Sequence, residues 1–176
     1  MRLLLVSRGF PPRIGGVETL CRQLAEGFVH RGADVLVVTF GGAERFSVED
    51  GPYRVLRLRS RGGQFEWSAR IVPLLRRLAP DVCHVHNLHS SVAASVWAAR
   101  RFPYVLTTHY HGRGHTLAAR LVHPVYRTVA ARVVRAATAV TAVSPDEADL
   151  VRAHFGVTPE VIPNGVEPAV FASVPA

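Results

Sequence analysis

The 176-residue sequence contains no lysine: its 21 basic residues are all arginine, against 13 acidic ones, for a formal charge of +8. Arginine pairs bidentately with phosphate and carboxylate, so anionic partners fit this excess, as does a plain bias towards Arg in a chain also rich in Ala and Val. Cysteine is scarce. Cys21 and Cys83 stand far apart and form no CxxC pair, which argues against a disulfide framework or a thiolate zinc site. Long apolar runs are missing too. The uncharged stretch 82–99 carries three His, one Asn and three Ser, so no transmembrane helix is expected. The opening apolar run 3–6 meets Arg8 at once, too short for a signal peptide. A soluble cytoplasmic domain is expected. No recognition motif accompanies the dispersed arginines, so nucleic acid is not an expected partner.

What is present alternates. Leu3–Val6 and Val35–Val38 read as buried strands, and Val17, Leu20, Cys21, Leu24, Ala25 and Phe28 recur between them at helical spacing, with Gly32 as C-cap. Arg54–Arg59 reads as an alternating, half-exposed edge strand. A helix over 68–78 follows, with Pro73 expected to shift its start. Further strands are expected at 82–85, 104–108, 139–143 and 160–162, and helices at 90–101, at 116–135 with a kink at Pro124, and from Ser144 to about 156. Ser144-Pro145-Asp146-Glu147 has an N-cap, Pro at the first position and a capping-box Glu. The alternation predicts an α/β fold: a Rossmann-like, doubly wound, mainly parallel sheet with helices on both faces.

Ligands of such sheets bind outside the carboxyl ends of the strands, and two constellations fall there. Gly15-Gly16 ends the loop between the first strand and first helix. Glycines at a helix N-terminus let an anion approach unpaired backbone N–H groups, which points to phosphate, although Gly-Gly alone also suits a simple turn. The spacing is not GxGxxG, so an ordinary dinucleotide fingerprint is not indicated. Second, His84 and His86 end one strand and His109 and His111 the next, with His89 and His115 just beyond. Imidazoles gathered at one edge suit substrate binding or proton transfer. Metal ligation stays open as an alternative, weakened because no Asp or Glu lies beside either pair. A third feature is an arginine stripe, Arg120, Arg127 and Arg135, on one side of the 116–135 segment. It reads as a solvated helix face, with an anionic membrane surface as the alternative. No GxSxG nucleophile exists, and capping accounts for Ser144.

Taken in order, Pro11-Pro12-Arg13-Ile14-Gly15-Gly16-Val17-Glu18, Asp81-Val82-Cys83-His84-Val85-His86-Asn87, Thr107-Thr108-His109, Ala142-Val143-Ser144 and Val161-Ile162-Pro163-Asn164-Gly165-Val166-Glu167 through Phe171 resemble the N-terminal, acceptor-side domain of a family 4 (GT4) glycosyltransferase of the GT-B fold. The resemblance implies a retaining enzyme that moves a sugar from a nucleotide-sugar donor to a sugar or lipid-linked acceptor, with no metal or other cofactor. It implies that Gly15 and Gly16 offer backbone N–H groups to the donor diphosphate, that His109 is the catalytic histidine at donor sugar and acceptor, and that His86, Asn87, His111 and Glu18 serve the acceptor or substrate side. Two departures stand out. The family usually has Gly directly after the histidine, where this chain has Tyr110-His111-Gly112, and often Asp where Glu167 stands.

The resemblance also implies a boundary. Residues 1–163 would form the acceptor-binding domain and 164–176 the start of a linker to a C-terminal donor-binding domain, whose basic pair and Glu-x7-Glu motif are absent here. The chain alone is then expected to be inactive. The expected location is the cytoplasm, with peripheral attachment at the inner membrane face left open by the arginine stripe. The competing readings are a His-ligated metal-dependent hydrolase and a non-enzymatic module binding anions or membrane surfaces.

Overall fold

A computed structural model of the chain describes residues 1–41, 46–49, 51–63, 66–99, 101–112 and 117–165, with backbone alone at 46–47 and 117–125. Eight strands form one sheet: β1 (Arg2–Val6), β2 (Asp34–Phe40), β3 (Phe46–Glu49), β4 (Arg54–Leu58), β5 (Val82–His86), β6 (Tyr104–Thr107), β7 (Ala139–Ala142) and β8 (Glu160–Val161). Their order is β3-β4-β2-β1-β5-β6-β7-β8, parallel throughout except for β3, which runs antiparallel to β4. Five helices accompany them: α1 (Gly16–His30), α2 (Ile71–Arg77), α3 (Ser91–Ala99), α4 (Leu117–Arg135) and α5 (Pro145–Phe155).

The unbroken apolar runs exist because the inner strands are covered on both faces. Along β1, Leu3 and Leu5 pack with Cys21 and Ala25 of α1, while Leu4 and Val6 turn to the opposite core with Ile71 and Leu75 of α2, Val92 and Val96 of α3, Val133 of α4 and Phe155 of α5. This period-two split puts α1 on one face and α2–α5 on the other. After β1 the chain builds outward through β2 and β4; after returning at β5 it builds the other way to β8. Since parallel crossovers are right-handed, reversing direction reverses the face. The reversal lies between β1 and β5, the place where, in open sheets of this kind, the loops at the strand ends diverge and ligands bind in a crevice.

Local chemistry sets several boundaries. Ser144 Oγ accepts the Glu147 N–H at 3.2 Å, Pro145 opens α5, and Gly156 closes it at φ +70 with its N–H on the Arg152 carbonyl. Ser144→Ala should therefore cost about 1 kcal/mol of stability, read as a lower denaturant midpoint at unchanged slope; an unchanged midpoint would remove the cap from the account. Pro73 sits at the third position of α2, where its missing N–H has no intrahelical partner to lose, and the helix begins at Ile71 instead of 68. The 116–135 segment forms one helix from Leu117, with Pro124 inside it.

The edge-strand expectation for 54–59 is corrected. β4 lies between β2 and β3, and β3, whose four residues carry little apolar signal, takes the edge instead. Arg57 is buried there because its charge is answered: Nε and Nη2 bond the Glu49 carboxylate at 2.6 and 3.0 Å, and Nη2 also donates to the Pro11 carbonyl. Among the described residues no helix is long and apolar enough to cross a membrane. Asn164 and Gly165 are exposed, and residues 166–176, including Glu167 and Phe171, lie outside the described residues.

Candidate active site

The loop from β1 to α1 is clamped from two sides. From β4, Arg57 holds the Pro11 carbonyl. From the segment after β4, the buried Glu66 receives Arg13 through two bonds of 2.7 and 3.1 Å, Ser60 Oγ at 3.0 Å and Arg8 at 3.8 Å. Burial alone pushes the Glu66 carboxyl up, but the hydrogen bonds from Arg13 and Ser60 and the charges of Arg13 and Arg8 outweigh it and hold it below the usual carboxylate range. Glu49 is likewise held low by Arg57. The loop that approaches the crevice is thus fixed before any ligand arrives.

Its two glycines do different work. A Cβ added at Gly15 would collide with the Glu18 carboxylate, as would one at Gly9, whereas a Cβ at Gly16 would enter open space. Glu18 folds back over the loop backbone in the first turn of α1, where the helix dipole favours a negative charge. Gly15 makes room for that carboxylate. Gly16 opens outward.

Across the crevice, β5 and β6 end on two residues in the left-handed region, Asn87 at φ +74 and His109 at φ +46. Such conformations are uncommon outside glycine and gather at functional sites. Asn87 is used as a turn residue: Oδ1 accepts the His89 N–H at 3.1 Å, and its carbonyl accepts Ser90 N and Oγ at 3.1 and 2.7 Å. His86 is buried directly behind His109, with Nδ1 3.3 Å from Nε2 of His109 and the rings stacked at 5.6 Å. His84 lies against His86 with ring centroids 4.2 Å apart and the planes tilted by 35°, and bonds Thr107 Oγ1 at 2.7 Å, which in turn meets Thr141 Oγ1 at 2.8 Å. The structure therefore brings His84, His86 and His109 into one stack but sets His86 beneath the crevice surface.

Burial depresses all three imidazoles. His84 falls to about 4, with the charge of His109 as a secondary cause, and His86 lies well below its ordinary value through burial first and then its two neighbours. His109 is also lowered by burial, with Glu147 pulling it back up and His111 pushing it down. At neutral pH the stack is uncharged, and one proton serves the bond between His86 and His109. Nε2 of His86 is buried without a partner. An orphaned acceptor is more readily tolerated than an orphaned N–H, so we assign the His86 proton to Nδ1, donating to His109 Nε2, which leaves the His109 proton on Nδ1.

The residues after His109 part company. Tyr110 is buried, with its hydroxyl 2.7 Å from His154 Nδ1, its ring edge-on to Phe155 and stacked on His89. His111 is exposed, and Gly112 packs beneath Leu150 at φ +74. Holding this turn is a residue that the sequence presents only as a helix cap. Glu147, buried in the first turn of α5, accepts the Tyr110 N–H at 2.6 Å and the Thr108 hydroxyl through Oε1, and the Val143 N–H at 2.8 Å through Oε2.

The remaining candidates resolve differently. Arg135 is exposed and Arg127 half-buried, in keeping with a solvated face, and both also donate to carbonyls at the C-terminal end of α5, Arg127 to His154 at 3.4 Å and Arg135 to Phe155 at 3.0 Å. The Arg120 side chain and His115 lie outside what is described. Among the described residues no group of three His, Cys, Asp or Glu side chains is placed to hold a metal ion.

The model of the Glycosyltransferase Family 4 domain matches residues 14–170, nearly the whole chain and every element of this crevice except β1. The chain belongs to glycosyltransferase family 4. No curated protein sequence matches it significantly. Solved GT-B structures share the fold: sucrose-phosphate synthase of Thermosynechococcus elongatus at TM-score 0.71 and 17% identity, over 96% of this chain and 49% of that one; trehalose-6-phosphate synthase of E. coli, bound with UDP-2-fluoro glucose, at 0.63 and 15%, over 99% and 52%; and starch synthase IV of Arabidopsis thaliana, bound to ADP and acarbose, at 0.61 and 13%, over 96% and 52%. The family 4 chain thus spans about half the length of these structures and has the architecture of a GT-B N-terminal domain.

Proposed function

We propose that this chain is the acceptor-side half of a retaining glycosyltransferase, moving a sugar from a nucleotide-sugar donor to a sugar or lipid-linked acceptor with no metal required. The observation that carries the reading is the reversal of strand order between β1 and β5, which puts the clamped loop with its open Gly16 and the left-handed turns at Asn87 and His109 at the same carboxyl edge of the sheet. In this reading the backbone N–H groups at Gly15 and Gly16, at the positive end of α1, receive the donor diphosphate and stabilise charge on the departing nucleoside diphosphate. His109, uncharged and with Nδ1 as its N–H, donates a hydrogen bond towards donor sugar and acceptor. His86 supports the His109 ring from beneath, Asn87 shapes the adjoining turn, and exposed His111 is the flanking residue free to meet an acceptor. Glu18 contributes from the loop floor. The nucleoside would be held by a second domain, so the chain alone should transfer little.

The test is Gly16→Ala in the complete two-domain enzyme. A methyl there meets no protein atom, so the fold should be unaffected, or slightly firmer since Ala favours helix over Gly. It would stand where the diphosphate must approach. Losing one charge-assisted hydrogen bond is worth about 1.5–3 kcal/mol, so KM for the donor should rise roughly tenfold or more. Unchanged donor kinetics would sink the reading, as would robust sugar transfer by the 176 residues with no second chain.

A further inference from the structure

Glu147 is the buried acid that the proposed chemistry does not use, and its bonding is asymmetric for a helix cap. A capping-box carboxylate returns to the N-cap backbone. Here the Ser144 hydroxyl receives Glu147 N, but the Glu147 carboxylate reaches past Ser144: Oε2 takes Val143 N, while Oε1 crosses to β6 and takes Thr108 Oγ1 and Tyr110 N. Those two donors flank His109 on either side. His109 itself is in the left-handed region, a conformation that costs a non-glycine residue about 1–2 kcal/mol and persists only where the surroundings impose it. Nothing else described binds the backbone N–H of Tyr110.

We propose that Glu147 is the positioning residue of the His109 turn: its carboxylate, anchored in the first turn of α5, locks the residues on both sides of His109 and so fixes where the imidazole is presented. A neutral amide cannot substitute. Both carboxylate oxygens face backbone N–H donors, and Gln would set an NH2 against one of them. Among the described residues Glu147 is also the acidic group that acts on His109. The groups around that ring are His86 and, behind it, His84 from β5, Glu147 from α5, and His111 from its own turn. Burial and His111 disfavour its protonation, and Glu147 favours it.

The proposal rests on the glycosyltransferase reading only for what His109 does afterwards, so it is tested on the 176-residue chain without any donor. Histidine side-chain and backbone amide resonances are followed through a pH titration by NMR in wild type, Glu147→Gln and Ser144→Ala. In Glu147→Gln the His109 midpoint should fall by roughly half a unit or more, and the Tyr110 amide should lose its hydrogen-bonded shift and exchange faster, with exposed His111 unmoved. Ser144→Ala, which weakens the same helix end but keeps the carboxylate, should lower stability and leave His109 and Tyr110 unchanged. A folded Glu147→Gln protein with wild-type His109 titration and Tyr110 amide overturns the proposal. Should that variant not fold, wild type decides: Tyr110 N–H must be among the slowly exchanging amides, and fast exchange there overturns it equally. Absence of sugar transfer in a complete enzyme would count against the proposed function and not against this one.

Discussion

Replacing His109 by Ala in the complete enzyme is expected to lower kcat by about 10²–10³, the usual cost of removing one preorganised donor at a transition state, while the domain stays folded. The stability cost is bounded by geometry. His109 contributes one side-chain hydrogen bond, to a His86 that would then be left buried with both ring nitrogens unpaired. Such a loss is worth on the order of 1–3 kcal/mol, against a domain stability of about 5–15 kcal/mol. Backbone strain adds to this, because His is among the residues that tolerate a positive φ and Ala is not. His109→Asn is the informative companion: Asn tolerates that conformation but cannot reach as far as the imidazole, so it should recover the backbone part of the stability loss without restoring turnover. Wild-type turnover in His109→Ala would dismiss His109 as a catalytic residue.

Acid should unfold this domain early, and the histidine stack is the cause. His84 and His86 are neutral in the folded protein and titrate normally once unfolded. Between the ordinary histidine value of 6.5 and about 4, where His84 titrates in the folded state, the unfolded chain binds protons that the folded chain refuses. Stability is therefore complete above pH 6.5 and drains away as pH falls through that window. At 1.36 kcal/mol per unit, His84 alone accounts for roughly 3 kcal/mol, and His86 and His109 act in the same direction. The paired carboxylates Glu49 and Glu66, held low by their arginines, withdraw stability only at more acid pH. Urea unfolding at pH 7, 5.5 and 4.5 measures the slope. His84→Gln, which keeps a partner for Thr107 but cannot titrate, should flatten it, and a wild-type slope in both His84→Gln and His86→Gln would remove the stack as its origin.

Much of the fold was legible because it rests on local signals. Period-two and period-3.6 apolar patterns mark the strands and helices, and Ser144-Pro145 and Gly156 mark the ends of α5. β3 escaped because an edge strand buries little, and Phe46–Glu49 shows no run long enough to stand out. The edge label then fell on β4, where Arg57 looked solvated. Its burial depends on Glu49 and on a carbonyl 46 positions away, neither visible in the alternation of one strand. For the arginine stripe, helical spacing tells which residues share a side, not that Arg127 and Arg135 also reach the carbonyls at the end of α5.

The candidate site divides along the same line. Gly15, Gly16 and His109 are readable from sequence because strand-end loops in a parallel sheet converge at the carboxyl edge whatever the packing detail. That His86 and His109 are both buried and meet ring to ring was not readable, since it depends on the register between β5 and β6. The partners that hold the site, Arg13 with Glu66 and Thr108 with Glu147, lie 53 and 39 positions apart. The missing lysine and scarce cysteine of the opening composition turn out to say little about the site, whereas a few of the arginines, Arg13 and Arg57 at the loop and Arg127 and Arg135 at the end of α5, have structural partners; of the described arginines only Arg57 is buried. By itself the sequence determined the succession of elements apart from β3 and the doubly wound, mainly parallel class of the sheet, because both follow from apolar periodicity and the β-α alternation; where the strand order reverses was shown by the structure. Only the tertiary structure decided what Glu147, Glu66 and Arg57 are for, because a charge acquires its role from the donors and acceptors that folding brings within hydrogen-bonding distance.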